Sequence, residues 1–174
     1  WFYEGEFGNE KLVRKEYADG ETWFYGEDEK LVEIVSPNKD KWFYEGKVGN
    51  ERLVRKEYAD GEMWFYDEFE RLVRKEYPNK EKWFYEGEFG NEKLVRKEYA
   101  DGEMWFYEDE RLVKIESRNE IGNESWFYYE GEFGNERLVR KESPDEIKWF
   151  YEGEFGNERL VRKEYPLSLI HISE

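Results

Sequence analysis

The chain has 174 residues, a net charge of −16, 41% charged and 20% aromatic residues, and no cysteine. The acidic balance argues against nucleic acid and anionic lipid as partners, since both attract Lys and Arg. Disulfides and thiolate metal sites are excluded, the aromatic content is foreign to a disordered chain, and no apolar run approaches the ~20 residues of a membrane helix.

The triplet Trp-Phe-Tyr opens the chain at Trp1 and returns at Trp23, Trp42, Trp64, Trp83, Trp105, Trp126 and Trp149, at intervals of 22, 19, 22, 19, 22, 21 and 23 residues. A period in this range means one small unit stacked on copies of itself, each covering what its neighbour cannot bury alone. The first unit, Trp1 to Thr22, holds two β-prone runs, Trp1–Phe7 and Lys11–Tyr17. Gly8-Asn9 separates them and Asp19-Gly20 precedes the next triplet; both are two-residue hairpin signals. The segment ERLVRKEY contains good helix formers, but the recurring glycines and the lack of a 3.6-residue apolar period predict strands. Folding about these turns places Tyr3 opposite Arg14, Phe2 opposite Lys15 and Trp1 opposite Glu16. It also flanks each Arg14-type residue with two Tyr and each Lys15-type residue with two Phe. One face then carries Trp1, Tyr3, Phe7, Leu12, Arg14 and Glu16, and is the drier. The other carries Phe2, Val13, Tyr17, Glu4, Glu6, Lys11 and Lys15.

The unit at Trp64 lacks three residues at its first turn. Keeping Tyr66 opposite Arg74 leaves the loop Phe69-Glu70-Arg71, and Pro78-Asn79 takes over the second connection. Further on, Tyr129 is an extra residue, which predicts a β-bulge near Tyr128 and Tyr129. Eight units give about sixteen strands, and open twisted sheets rarely exceed ~10 without curling. The expectation is an all-β, antiparallel β-hairpin repeat array, an elongated, coiling meander or solenoid-like sheet with the Trp/Tyr face inside.

The repeats occupy residues 1–165, and 166–174 form a non-repeat tail. Its run Leu167 to Glu174, LSLIHISE, resembles the translation of a sequencing-library adapter. The expectation is a fragment of a longer repeat protein whose end is artefactual and dispensable for folding. The single histidine, His171, lies in that tail.

The run YADGEMWFY followed by YEGEFGNE resembles MORN repeats, β-hairpin units with an Asp-Gly, a Tyr-x-Gly-x-aromatic core and a Gly turn, and is similar to YEGE-type hairpin arrays. MORN units carry further glycines where this chain has the bulky RLVRKEY. The resemblance implies scaffolding, membrane-associated or protein-binding roles and carries over no catalytic site.

For chemistry the repeats offer little. Ser36, Ser117, Ser125 and Ser143 have no histidine in the repeats to act as base. Glu residues recur opposite Lys or Arg, the pattern of a salt-paired sheet, and no segment has the Asp/Asn alternation of a calcium loop. Asn123-Glu124-Ser125 matches a glycosylation sequon. The aromatic ladder is the one feature with ligand potential: Trp23, Tyr25, Trp42, Tyr44, Trp64, Tyr66, Trp83, Tyr85, Trp105 and Tyr107. Such rows bind sugars or quaternary ammonium groups, and choline-binding repeats similarly combine Trp-Tyr-Tyr runs with Asp-Gly turns. The competing reading makes these aromatics the core. The expected function is a non-catalytic structural or protein-interaction scaffold, with a protein partner, no cofactor, no nucleic acid and no membrane association. The alternative is a secreted aromatic-ladder module for carbohydrate or choline.

Overall fold

The computed structural model describes residues 1–118 and 124–166; the expected tail, 167–174, and Asn123 of the sequon lie outside the described residues. Among the described residues sixteen strands follow one another: β1 (Phe2–Glu4), β2 (Lys11–Glu16), β3 (Thr22–Tyr25), β4 (Leu31–Val35), β5 (Lys41–Lys47), β6 (Asn50–Glu57), β7 (Met63–Tyr66), β8 (Leu72–Glu76), β9 (Lys82–Glu88), β10 (Asn91–Glu98), β11 (Met104–Glu108), β12 (Arg111–Arg118), β13 (Glu124–Glu130), β14 (Arg137–Glu142), β15 (Lys148–Glu152) and β16 (Arg159–Glu164). They form one antiparallel sheet in sequence order, an all-β hairpin meander as the turn spacing predicts. The chain divides into two compact units, unit 1 (Trp1–Lys93) and unit 2 (Leu94–Glu174), with the boundary inside β10.

The register differs from the expected one by a residue in both kinds of hairpin. After β2, β4, β6, β8, β10 and β14 the chain turns through three residues rather than two. Tyr17 N–H donates to Glu21 O (2.9 Å) and Gly20 N–H to Tyr17 O (3.0 Å), with Gly20 at φ 91°. This is a type I turn closed by a left-handed residue, and Asp19 Oδ1 accepts from Glu21 N–H (3.0 Å) to hold it. Glu16 therefore faces Thr22, Lys15 faces Trp23 and Arg14 faces Phe24.

The first hairpin departs twice. Its turn centres on Phe7-Gly8, with Asn9 N–H donating to Glu6 O (2.8 Å) and Gly8 at φ 87°, where a type II turn requires positive φ. Val13 is then passed over as a bulge, so Phe2 faces Arg14 while Tyr3 faces Leu12. The turn shifts the register by two and the bulge returns one. The same valine bulges in the hairpins β3–β4, β5–β6, β7–β8, β11–β12, β13–β14 and β15–β16.

Three local expectations change with it. The loop in the Trp64 unit is Glu68-Phe69-Glu70, with Glu70 at φ 59° and Tyr66 facing Leu72 rather than Arg74. The register does shift between Tyr128 and Tyr129, but through the same repeated valine bulge, at Val139. The extra residue is absorbed by sliding the triplet one place. Trp126 faces Glu142 and Glu116, Phe127 takes the usual Trp place opposite Lys141, and Tyr128 takes the Phe place opposite Arg140.

Outside the shifted Trp126 triplet, the Arg14-type residues are consequently flanked by Phe and the Lys15-type residues by Trp, not by Tyr and Phe as the two-residue turns implied. One face, the Trp face, carries Trp, the third-position Tyr, Leu and Lys15-type residues, joined by Tyr17. The other, the Phe face, carries Phe2, Val13, Arg14 and Glu16 types. Neither face is dry. Among the described residues only Ile34, at 8% exposure, is buried, and the Trp and Tyr rows that were expected to form an inner core are part-buried. Ile34 stands between Trp23 and Trp42, where other repeats place a lysine.

The three-residue turns test this register directly. Gly20, Gly61 and Gly102 hold the left-handed position in some repeats, but Lys39 (φ 72°), Lys80 (φ 69°) and Glu146 (φ 57°) hold it in others. A side chain there costs about 1–2 kcal/mol, against which glycine's greater unfolded freedom returns a part. Lys80→Gly should therefore raise stability by about 1 kcal/mol, readable as a higher denaturant midpoint. A fall would mean that Lys80 is not in the left-handed region.

Candidate functional site

The ten predicted ladder residues share the Trp face, eight in unit 1 and Trp105 and Tyr107 in unit 2. In unit 1 the strands place Lys15 against Trp23, Ile34 against Trp23 and Trp42, Lys56 against Trp42 and Trp64, and Lys75 against Trp64 and Trp83. The result is a row of indoles separated by single side chains. The lysines use the ring faces: Lys75 Nζ lies 3.8 Å from the Trp64 centroid, and Lys15 Nζ lies 4.5 Å from both Trp1 and Tyr17. Burial pulls the Lys75 ammonium below the usual lysine range, with Glu62 opposing.

Four of the five ladder indoles are also held from the turn side. Trp23, Trp64, Trp83 and Trp105 donate their Nε1–H to the glutamate two residues before them, Glu21, Glu62, Glu81 and Glu103, at 2.9, 2.6, 2.6 and 2.5 Å. Tyr17, Tyr58, Tyr77 and Tyr99 pack tilted against the same rings, with centroids 5.2–5.3 Å apart. A parallel row pairs Tyr44 with Leu53 and Tyr66 with Leu72. Here burial is the main influence on the phenols. It pushes Tyr44 up, helped by Glu21 and Glu70, and pushes Tyr66 and Tyr85 well above the tyrosine range. The indole N–H groups and many ring faces that a ligand would use are thus engaged within the sheet.

The Phe face repeats a second stack. Arg14 lies 3.9 Å over Phe2, Arg55 4.1 Å over Phe43, Arg74 4.1 Å over Phe65 and Arg140 3.9 Å over Tyr128. Each of these arginines reaches the glutamate two residues on, at 3.0–3.3 Å. Shallow hollows lie between the stacks. One of about 380 Å³ is lined by Val32, Phe43, Val54, Arg55 and Phe65. In unit 2 the displaced Trp126 helps line a hollow of about 660 Å³ together with Glu142, Glu146, Lys148, Glu164 and Tyr165. Lys148 and Arg140 already pair with Glu142 there.

Sequence reasoning missed a set of struts between successive hairpins. Pairing with the strand ahead ends before it reaches the Leu beside the valine bulge, and a glutamate from the next hairpin takes that Leu N–H instead. Leu12 donates to Glu29 (2.8 Å), Leu31 to Glu51 (3.2 Å), Leu53 to Glu70 (2.8 Å) and Leu72 to Glu92 (3.3 Å) in unit 1. Leu112 donates to Glu136 (3.2 Å) and Leu138 to Glu158 (3.4 Å) in unit 2. A cation beside the Leu donates across the same gap: Lys11 Nζ reaches Glu27 O (2.8 Å), Arg71 reaches Gly87 O (3.2 Å) and Arg137 reaches Gly153 O (2.8 Å). The one available signal was an acidic residue recurring after Gly-Asn, which reads equally well as a solvated turn.

Backbone N–H groups hold the Glu51, Glu92 and Glu158 carboxyls below their ordinary value, partial burial opposing. Their folded values lie below the unfolded ones, so the struts contribute fully above the ordinary carboxylate range and are lost as pH falls below it through the folded values. Acidification below about pH 4 should destabilise the sheet, and Glu92→Gln should flatten that acid limb. An unchanged pH profile in Glu92→Gln would show that the strut does not titrate with folding.

Among the described residues no group of three or more Asp, Glu, His or Cys is arranged to hold a metal ion. No family model matches the chain. No curated protein matches it either. Two solved structures share its β architecture at low similarity. The G-box domain of the microcephaly protein CPAP is 15% identical, with a TM-score of 0.42, covering 88% of this chain and 97% of that one. The TCP10 domain of Danio rerio CPAP, solved in complex with a peptide of Danio rerio STIL, is 12% identical, with a TM-score of 0.38, covering 88% and 98%. Likeness at this level carries no functional argument.

Proposed function

We propose that the chain is a non-catalytic, MORN-like repeat scaffold that binds other proteins through the surfaces of its sheet. The observation that carries this reading is the absence of a dry face. A chain with 20% aromatic residues buries only Ile34 among its described residues. Apolar area left beside ordered, rigid rings is what a partner can remove from water at low entropic cost. The repeats supply many equivalent docking positions on one continuous hydrogen-bonded framework.

The carbohydrate or choline reading fares less well on the same face. An aromatic cage for quaternary ammonium needs open ring faces, and here Lys15, Lys56 and Lys75 already lie over Trp or Tyr rings. The indole N–H groups of Trp23, Trp64 and Trp83, which a sugar hydroxyl would use, are bound to glutamate.

The test compares the wild type with a Trp42→Ser/Trp64→Ser double variant. Partners captured by the wild type are purified and their affinities for both forms measured. A direct, saturable protein partner weakened by the variant supports the scaffold. Saturable binding of choline or oligosaccharide to the wild type, lost in the variant and with no protein partner, overturns it.

A further inference from the structure

The geometry points to the hairpin-tip edge of the sheet, rather than either face, as a docking line for a basic segment with apolar side chains; this rests on the scaffold reading. A meander sends the first turn of every repeat to one edge and the second turn to the other. On the first edge of unit 1 stand Phe7, Val48, Phe69 and Phe89, exposed at 101%, 60%, 63% and 70%. In unit 2 the same edge bears Phe133 and Phe155, at 71% and 58%.

Folding explains the neighbours of these residues but not the residues themselves. Gly46 must be glycine, because a Cβ there would lie 2.5 Å from Asn50 O. Gly49 supplies the positive φ, at 77°, and the glutamate that follows ties the tip to the preceding hairpin. The tip residue faces water, where a polar side chain would complete the turn equally well. An aromatic ring at nearly full exposure is a cost in solubility that the fold does not require.

Charge then selects the partner. In unit 1 the five tip segments, 4–11, 27–30, 45–52, 67–71 and 86–93, hold 14 acidic and 6 basic residues. The opposite turns, 17–21, 36–40, 58–62 and 77–81, hold 6 acidic and 2 basic. Both edges are thus acidic, and the exposed rings single out the tip edge. A second copy of this acidic chain is repelled there, and a basic segment is attracted. Successive tips lie two strands apart, about 10 Å. A polyproline II segment rises about 9 Å in three residues and returns its side chain to the same side at every third, so an apolar side chain at every third position meets the successive tips that bear Val48, Phe69 and Phe89.

The test uses the full chain and a labelled peptide of four Phe-Lys-Lys repeats, with an equally charged Ser-Lys-Lys peptide as control, in fluorescence anisotropy at physiological salt. The wild type should bind the Phe peptide at least about tenfold more tightly than the control, a 1.4 kcal/mol difference. A Phe7→Ser/Phe69→Ser/Phe89→Ser variant should lose that advantage while its circular dichroism and unfolding midpoint stay as in the wild type. Equal binding of the two peptides, or an advantage that survives in the tip variant, overturns the tip line. Loss of the advantage in the Trp42→Ser/Trp64→Ser variant instead overturns the tip line and leaves the scaffold reading standing.

Discussion

Gly46→Ala should be among the most damaging single substitutions in the repeats. Gly46 sits at φ 133°, and a Cβ there would meet the carbonyl oxygen of Asn50 at 2.5 Å and the backbone of Glu51, which faces it across the hairpin, at 3.2 Å. The obstructing atoms are backbone, so no rotamer change relieves them. The backbone conformation alone costs an L-residue about 1–3 kcal/mol, and the clash adds to it by forcing apart the two strands of the hairpin. Three residues on, Gly49 offers a matched control. It has φ 77° and nothing within 4 Å of an added Cβ. Gly49→Ala should cost only the left-handed penalty, about 1–2 kcal/mol. Denaturant unfolding of both variants measures the difference. Equal losses would mean that the strands at Gly46 are further apart than the hairpin geometry requires. Because neighbouring hairpins unfold with some independence in an array, the Gly46 variant should also broaden the transition.

Trp64→Ala should cost about 2 kcal/mol, less than the 3–5 kcal/mol of a fully buried tryptophan. Trp64 is part-buried, and removing roughly half of its contact area forfeits a corresponding share of the transfer energy. The remaining cost has identifiable parts. Lys75 loses the ring beneath it at 3.8 Å, Tyr58 loses its tilted partner at 5.3 Å, and Glu62 loses the indole donor at 2.6 Å. Each exposed cation–π contact contributes roughly 0.5–1 kcal/mol. A double-mutant cycle with Lys75→Met isolates that term. Coupling near zero would mean that the lysine lies over the ring without stabilising it. A loss above about 4 kcal/mol would mean that the Trp face is covered, contrary to the exposure of its rows.

The salt bridges are a smaller matter. Arg55–Glu57 at 3.0 Å and Arg74–Glu76 at 3.1 Å join side chains that remain substantially exposed, and such pairs contribute about 0–1 kcal/mol each. Their value is orientational: the carboxylate holds the guanidinium flat on the Phe ring. In Arg14 and Arg55 that stacking leaves Nε out of water without a hydrogen-bond partner, a desolvation cost that the ring contact offsets.

The sequence by itself determined the repeat, the number of strands, the antiparallel order and, to within a residue, the places of the turns. Those follow from local chemistry: Asp19-Gly20 and Gly8-Asn9 mark places where the chain needs positive φ, and the β-prone runs between them are too short for anything but strands. It also placed Trp and the third-position Tyr together on one face, since that depends only on alternation within a strand. Which cation accompanies them was decided by the tertiary structure. A register is the sum of every turn and bulge between two residues, and a change of one in either exchanges Arg14 for Lys15. The three-residue turn at Ala18-Asp19-Gly20 and the bulge at Val13 each supply such a change, and the bulge leaves no mark in composition, because valine is an ordinary strand residue. The struts from Glu51 and Glu92 to the Leu31 and Leu72 amides were invisible for a related reason. They answer N–H groups that are left over only once the bulge has ended the pairing. The same holds for the missing core: alternation tells which side chains share a face, but whether anything covers that face is a property of the folded sheet alone.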